Sequence, residues 1–256
     1  MRKGLLGIGA LLLVAAIGFF GFLPGYVESS MNQIDGKPLP KVNAEAVALH
    51  KTLTIVDLHS DTLMWKRDVL DKADRGHMDL PRLQAGNVAL QVFSSVSKTP
   101  KDQNYDANGA DSDNITLLAF AQMQPMRTWD SLLERSLWHA TKLDRAVAER
   151  RELTNKDRNL VPLWRIDNHE SVQALAERRV LPPDHPAPIG ALLSIEGLQN
   201  LEGKAANLDR LYAAGFRMAG LTHFFDNELA GSMHGLKKGG LTPFGRDIIR
   251  RMEAKA

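Results

Sequence analysis

The apolar and polar positions of this chain divide it into an apolar start, a polar connector and a long alternating remainder. Residues 4–23 form an unbroken apolar run, close to the ~20 residues a helix needs to cross a bilayer. Residues 28–41 turn polar and include Pro38 and Pro40, which predicts an extended linker. Beyond it, short apolar runs at 54–57, 88–96, 189–195 and 216–221, with a weaker one at 160–165, read as strands. Between them lie helical stretches at 44–53, 168–179 from a capping Asn168, 208–214 closed by Gly215, and 244–254 after Thr242-Pro243. Pro182, Pro183, Pro186 and Pro188 end the second of these. Residues 98–113 are rich in Asp, Asn and Gly and read as a surface loop. From Asp113 a long helical region carries Leu117, Phe120, Met123, Met126, Trp129, Leu132, Leu133, Leu137, Ala140, Leu143 and Val147, recurring at spacings of three and four and predicting one buried face with a break or kink at Pro125. Strand alternating with helix implies parallel pairing through helical crossovers, an α/β fold.

Composition narrows the function classes. A chain of 256 residues, 44% hydrophobic, suits one large globular domain, starting near Val42. Its 32 basic and 30 acidic residues leave a net charge of +2, no electrostatic footprint for a nucleic acid backbone. Cysteine is absent, so any metal must be held by imidazole and carboxylate. Arg2 and Lys3 precede the apolar run and Glu28 follows it, which predicts a membrane anchor with a cytoplasmic N-terminus and the domain on the outer side, the periplasm in a bacterium. Ala16-Ile17-Gly18 offers a small-x-small cleavage site, the signal-peptide alternative. Phe19, Phe20, Phe22 and Leu23 continue the apolar run past it and favour the anchor.

The candidate chemistry gathers where strands end. His59 and Asp61 lie two apart after the first strand, and residues two apart on a strand share a face and can converge on one cation. Asp57 has the same parity. A turn-capping role is the alternative for so short a pattern. Glu196 follows the strongest apolar strand, where a carboxylate must be solvated, paired or metal-bound. His223 takes the matching place after the next strand, as a hydrogen-bond donor to a substrate or as a structural histidine. The carboxyl ends of parallel strands are where α/β folds place their active sites. His77, His139, His169, His185 and His234 read as structural or solvent-facing, and no nucleophile elbow surrounds Ser60 or Ser194.

Five segments in order resemble those of the renal (membrane) dipeptidase family: Val56-Asp57-Leu58-His59-Ser60-Asp61; Asp79-Leu80-Pro81-Arg82-Leu83 with Gly86; Ser194-Ile195-Glu196-Gly197; Gly215-Phe216-Arg217 through Leu221-Thr222-His223; and Gly240-Leu241-Thr242-Pro243-Phe244-Gly245. The resemblance implies a (β/α)₈ TIM-like barrel holding two zinc ions and hydrolysing dipeptides. In it His59 and Asp61 bind one zinc, Glu196 bridges both, and His223 contacts the substrate. It also implies two further zinc-binding histidines, on strands later than the last one seen here. On this reading the chain has an anchor or signal segment at 1–27, a linker at 28–43 and about the first half of the barrel at 44–256, with little or no activity by itself. The alternative is a non-catalytic, membrane-tethered remnant or binding partner. The family commonly dimerises, and no segment here locates an interface.

Overall fold

The structure is a computed structural model that describes residues 2–180 and 185–255. Its N-terminal apolar run is helical throughout: α1 (Arg2–Ile17) passes through a π-helical turn (Gly18–Phe22) into α2 (Leu23–Met31). Pro24 falls in the first turn of α2, where a missing N–H is tolerated. Residues Leu6–Met31 make one helix long and apolar enough to cross a membrane.

The helix overruns the predicted linker boundary at residue 28. Glu28 is buried on α2, and its carboxylate pairs with Arg67 and, at 3.2 Å, with Arg75. These partners lie far along the chain, so Glu28 is a docked charge at the end of the helix rather than part of the exposed stretch that follows. Irregular chain begins at residue 33.

The domain opens with α3 (Ala44–Thr52), capped by Asn43, whose side chain accepts the Ala46 N–H. There follow β1 (Ile55–Asp57), a 3₁₀ turn (Thr62–Met64), α4 (Leu80–Ala85) and β2 (Val88–Val96). The predicted long helix is three: α5 (Ile115–Ala121), α6 (Arg127–Asp130) and α7 (Leu132–Lys156). Pro125 lies in the break. The predicted buried stripe holds on α7, where Leu133, Ala140 and Leu143 are core residues, and fails before it. Leu117, Met123 and Met126 are 58%, 63% and 74% exposed. Met123 adopts φ 53° just past α5, which breaks the helical phase between the two halves of the stripe.

Next come β3 (Leu163–Ile166), α8 (His169–Val180), β4 (Ile189–Glu196), a 3₁₀ turn (Leu198–Leu201), α9 (Asn207–Ala213), β5 (Phe216–Ala219) and α10 (Pro243–Glu253). Pro182 and Pro183 lie outside the described residues. Gly245, in the first turn of α10, packs against the Leu229 carbonyl so closely that a Cβ there would collide with it. That contact requires glycine.

The five strands form one parallel sheet in the order β1-β2-β4-β3. β2 runs along one edge of β4 from Gly190 to Glu196; the other edge is shared, with β3 pairing to Ile189–Leu192 and β5 to Leu193–Ile195. Ile189, Ala191, Leu193 and Ile195 of β4 join the main core with Leu143, Leu211 and Ile248. The alternate residues, Ser194 and Glu196, point to the opposite face. An α/β architecture with a parallel sheet is thus present, as the alternation predicts. β5 pairs only as far as Ala219. The predicted strand end, Leu221 to His223, leaves the ladder and is held instead at Leu221, whose carbonyl accepts from Leu198 N–H and Asn227 Nδ2.

Candidate metal centre

Three segments converge at the carboxyl end of the sheet. β1 stops pairing at Asp57, whose Oδ1 accepts the His59 N–H at 3.0 Å and turns the chain. Asp57 itself is exposed and serves this turn. The Ser60 carbonyl accepts the Ser94 N–H at 2.8 Å, which ties the segment to β2. Asp61 then starts the 3₁₀ turn, and Lys142 of α7 fixes that turn by donating to the carbonyls of Leu63 and Trp65. Burial lowers the Lys142 pKa to about 8, so the side chain remains mostly a cation at neutral pH. Glu196 ends β4, and Gly197 at φ 82° makes the turn after it.

The result brings His59, Asp61 and Glu196 together. His59 Nε2 stands 3.1 Å from Asp61 Oδ1 and 3.0 Å from Glu196 Oε1. Asp61 Oδ1 is buried with no donor in hydrogen-bonding alignment, although His59 Nε2 is close enough to favour its charged form. Two ligand atoms each ~2.0–2.1 Å from a tetrahedral zinc lie about 3.3 Å apart. Imidazole and two carboxylates at this spacing fit one divalent cation. Glu196 turns its second oxygen elsewhere, with Oε2 3.4 Å from His223 Nε2.

The electrostatics show what the cluster lacks. Burial and the neighbouring Asp61 charge push the Glu196 pKa up to about 7, against a smaller opposing pull from His59. Burial also raises Asp61, again opposed by His59. Two carboxylates forced together out of water resist ionising until a cation neutralises them. His223 is lowered to about 4, first by burial and then by His59 and His234, so its ring is neutral at pH 7. Its Nδ1 is buried without a partner.

Sequence reasoning missed the groups beside the candidate ligands. His59 Nδ1 lies 3.2 Å from Ser94 Oγ, which lies 2.5 Å from Ser194 Oγ, the residue paired with it across β2 and β4. The signal was present: Ser194 shares the parity of Glu196 and places a hydroxyl in an apolar strand. A second wall also escaped it. The Phe224 ring packs 4.1 Å from His223 and 5.6 Å from His234, whose Nδ1 is 2.7 Å from the Tyr105 carbonyl. His139, read as structural, is buried against Ser95 Oγ at 2.9 Å. Partners that orient a metal-ligating histidine typically contribute about 10–100-fold in affinity. Ser94→Ala is therefore expected to weaken metal binding within that range, by metal titration, while its circular dichroism matches the unsubstituted chain.

Among known proteins, the membrane dipeptidase family, peptidase family M19, matches residues 43–255. An uncharacterized dipeptidase of Schizosaccharomyces pombe is 26% identical over 255 residues, covering 95% of this chain and 51% of the relative. The probable dipeptidase PvdM from Pseudomonas aeruginosa shares the fold, with a TM-score of 0.51 at 16% identity, over 81% of this chain and 46% of that one. A metallo peptidase from Rhodobacter sphaeroides, liganded with a phosphinate mimic of the dipeptide L-Ala-D-Ala, gives 0.48 at 17% identity, over 79% and 56%. The chain spans about half the length of the relatives it matches. The family match contains all four converging residues, and the chain belongs to the membrane dipeptidase family.

Proposed function

We propose that this chain serves zinc-dependent hydrolysis of dipeptides, in a domain held at the outer face of a membrane by its N-terminal helix. The observation that carries this reading is the convergence of His59, Asp61 and Glu196 from two strand ends, with His59 Nε2 3.1 Å from Asp61 Oδ1 and 3.0 Å from Glu196 Oε1 and all three ligand atoms within 4.8 Å of one another. His59 Nε2, Asp61 Oδ1 and Glu196 Oε1 would hold one zinc. Zinc bound there supplies Lewis acidity, bringing the pKa of an adjacent water towards ~7 and polarising a carbonyl. Glu196 has a separately directed Oε2, which suits a carboxylate shared by two cations. Neutral His223 can donate an N–H to the oxygen on which negative charge develops. The Ser94–Ser194 pair holds the His59 ring, and Lys142 holds the turn after Asp61.

The parallel sheet is, on this reading, a sector of a (β/α)₈ barrel, with the site at the carboxyl ends of its strands. Arg2 and Lys3 ahead of the apolar helix support a cytoplasmic N-terminus and a domain facing outward, the periplasm in a bacterium. Its partners are then a dipeptide, the bilayer and, as is common in the family, a second copy of the chain. The test is chelator-sensitive hydrolysis of alanyl-alanine by the zinc-loaded chain. Removing one oxyanion donor typically costs ~10²–10³ in kcat, so His223→Ala is expected to lose that much of whatever rate the unsubstituted chain shows while keeping its zinc. Bound zinc with no hydrolysis at all would favour a tethered binding partner.

A further inference from the structure

The domain touches the apolar helix earlier than a simple tether would allow. Phe19 and Phe20 pack against Phe120 of α5, with ring centroids 5.8 and 5.3 Å apart, and Phe120 packs edge-on against Trp129 at 4.8 Å. Further on, Val27 joins Leu118 around Met64, Trp65, Val96 and Ile115, and Glu28 is buried beside Arg67. Residues 6–18 are exposed along their whole length.

Helix length turns this contact into a constraint on depth. The apolar residues 4–18 span only about 22 Å at ~1.5 Å per residue, short of the ~30 Å hydrocarbon core. Residues 19–23 make up the difference, and two of them, Phe19 and Phe20, lie against Phe120. Any bilayer that accommodates the full apolar run therefore also reaches α5. The same part of the domain exposes Leu117, Met123 and Met126, and Phe22 and Tyr26 of the helix are 73% and 71% exposed. Aromatic side chains are favoured at the membrane–water boundary. An apolar groove of about 320 Å³, bounded by Leu23, Val27, Met31, Ile115 and Leu117, runs between α2 and α5.

We propose that the edge formed by α5 and α6 is a second membrane contact, seated in the bilayer interface beside the anchor with Leu117, Met123 and Met126 against lipid. The proposal rests on the reading of residues 4–23 as a membrane span. Lipid is the fitting occupant because α5, through Leu117 and Phe120, is continuous with the helix that enters the bilayer. Seated at two places, the domain is held at a fixed tilt, and its catalytic face keeps one orientation to the membrane.

The absence of native cysteine allows a direct test. Leu12→Cys, Leu117→Cys, Met126→Cys and Asp247→Cys, each labelled with an environment-sensitive fluorophore, are reconstituted as full chains in phosphatidylcholine–phosphatidylglycerol vesicles. Nitroxide lipids labelled near the headgroup and at mid-chain then quench by depth. The expected result is loss of most emission from Leu117→Cys and Met126→Cys with the shallow quencher, from Leu12→Cys with the deep one, and no loss from Asp247→Cys. If Leu12→Cys is quenched while the α5–α6 labels behave like Asp247→Cys, the second contact is wrong and the anchor stands. If Leu12→Cys also escapes quenching, the anchor reading fails and takes the proposal with it. Unquenched, blue-shifted emission at Met126→Cys that grows with protein-to-lipid ratio would mean a second copy covers this edge, and would overturn the proposal.

Discussion

Glu196→Gln is expected to lower zinc affinity by more than about 100-fold, beyond the ~10–100-fold that outer partners of a ligand contribute. The substitution keeps shape and removes the charge proposed to hold the metal. Titration calorimetry reads the affinity, and thermal unfolding reads its linkage. Zinc at 100 times its Kd stabilises a native site by ~2.7 kcal/mol, or roughly 5–10 °C in Tm for a domain of this size. The Gln variant is expected to show almost none of that shift. Its metal-free form should also respond differently to pH. The native Glu196 carboxyl titrates at about 7, above its ordinary 4.5, so the native state binds the extra proton. Stability from this group is present below pH ~4.5 and is lost as pH rises through ~7. His223, lowered to about 4, acts in the opposite sense, with stability lost as pH falls from 6.5 towards 4. Subtracting the Gln variant's profile from the unsubstituted one isolates the Glu196 contribution, and zinc uptake below pH 7 should release its proton.

The second large effect lies at the junction of helix and domain. Glu28→Ala is expected to destabilise the chain by ~3–5 kcal/mol, the usual cost of stranding one member of a buried ion pair. The Arg67 side chain is only 8% exposed and has no water to replace the lost carboxylate. Differential scanning calorimetry in detergent should show a fall of roughly 10 °C in Tm. A double replacement, Glu28→Met with Arg67→Met, is expected to recover most of that loss, because removing both charges avoids the unpaired one. Recovery separates electrostatic stranding from loss of helix packing.

Much of this could be read in the order of residues. Short β-branched and apolar runs gave the strands, and Asn43, Asn168 and Thr242 cap the helices that the pattern places after them. The parity of His59 and Asp61 led to their convergence even though regular pairing stops at Asp57. What escaped depends on distant partners. Glu28 looked like linker because Arg67 and Arg75 lie 39 and 47 residues away. Met123 and Met126 fitted a helical stripe, but a positive φ at Met123 reset the phase and left them in the open. The Ser94–Ser194 pair depends on β2 and β4 lying side by side, which no local pattern specifies. The candidate ligands were legible as local chemistry, whereas the serines beside His59 came from the sheet register.

Crystals of the full chain grown with zinc, with diffraction measured on both sides of the zinc absorption edge, locate the metal. An anomalous peak is expected within bonding distance of His59 Nε2, Asp61 Oδ1 and Glu196 Oε1 together. A fully loaded chain whose zinc peak lies away from these three atoms would contradict the proposed site.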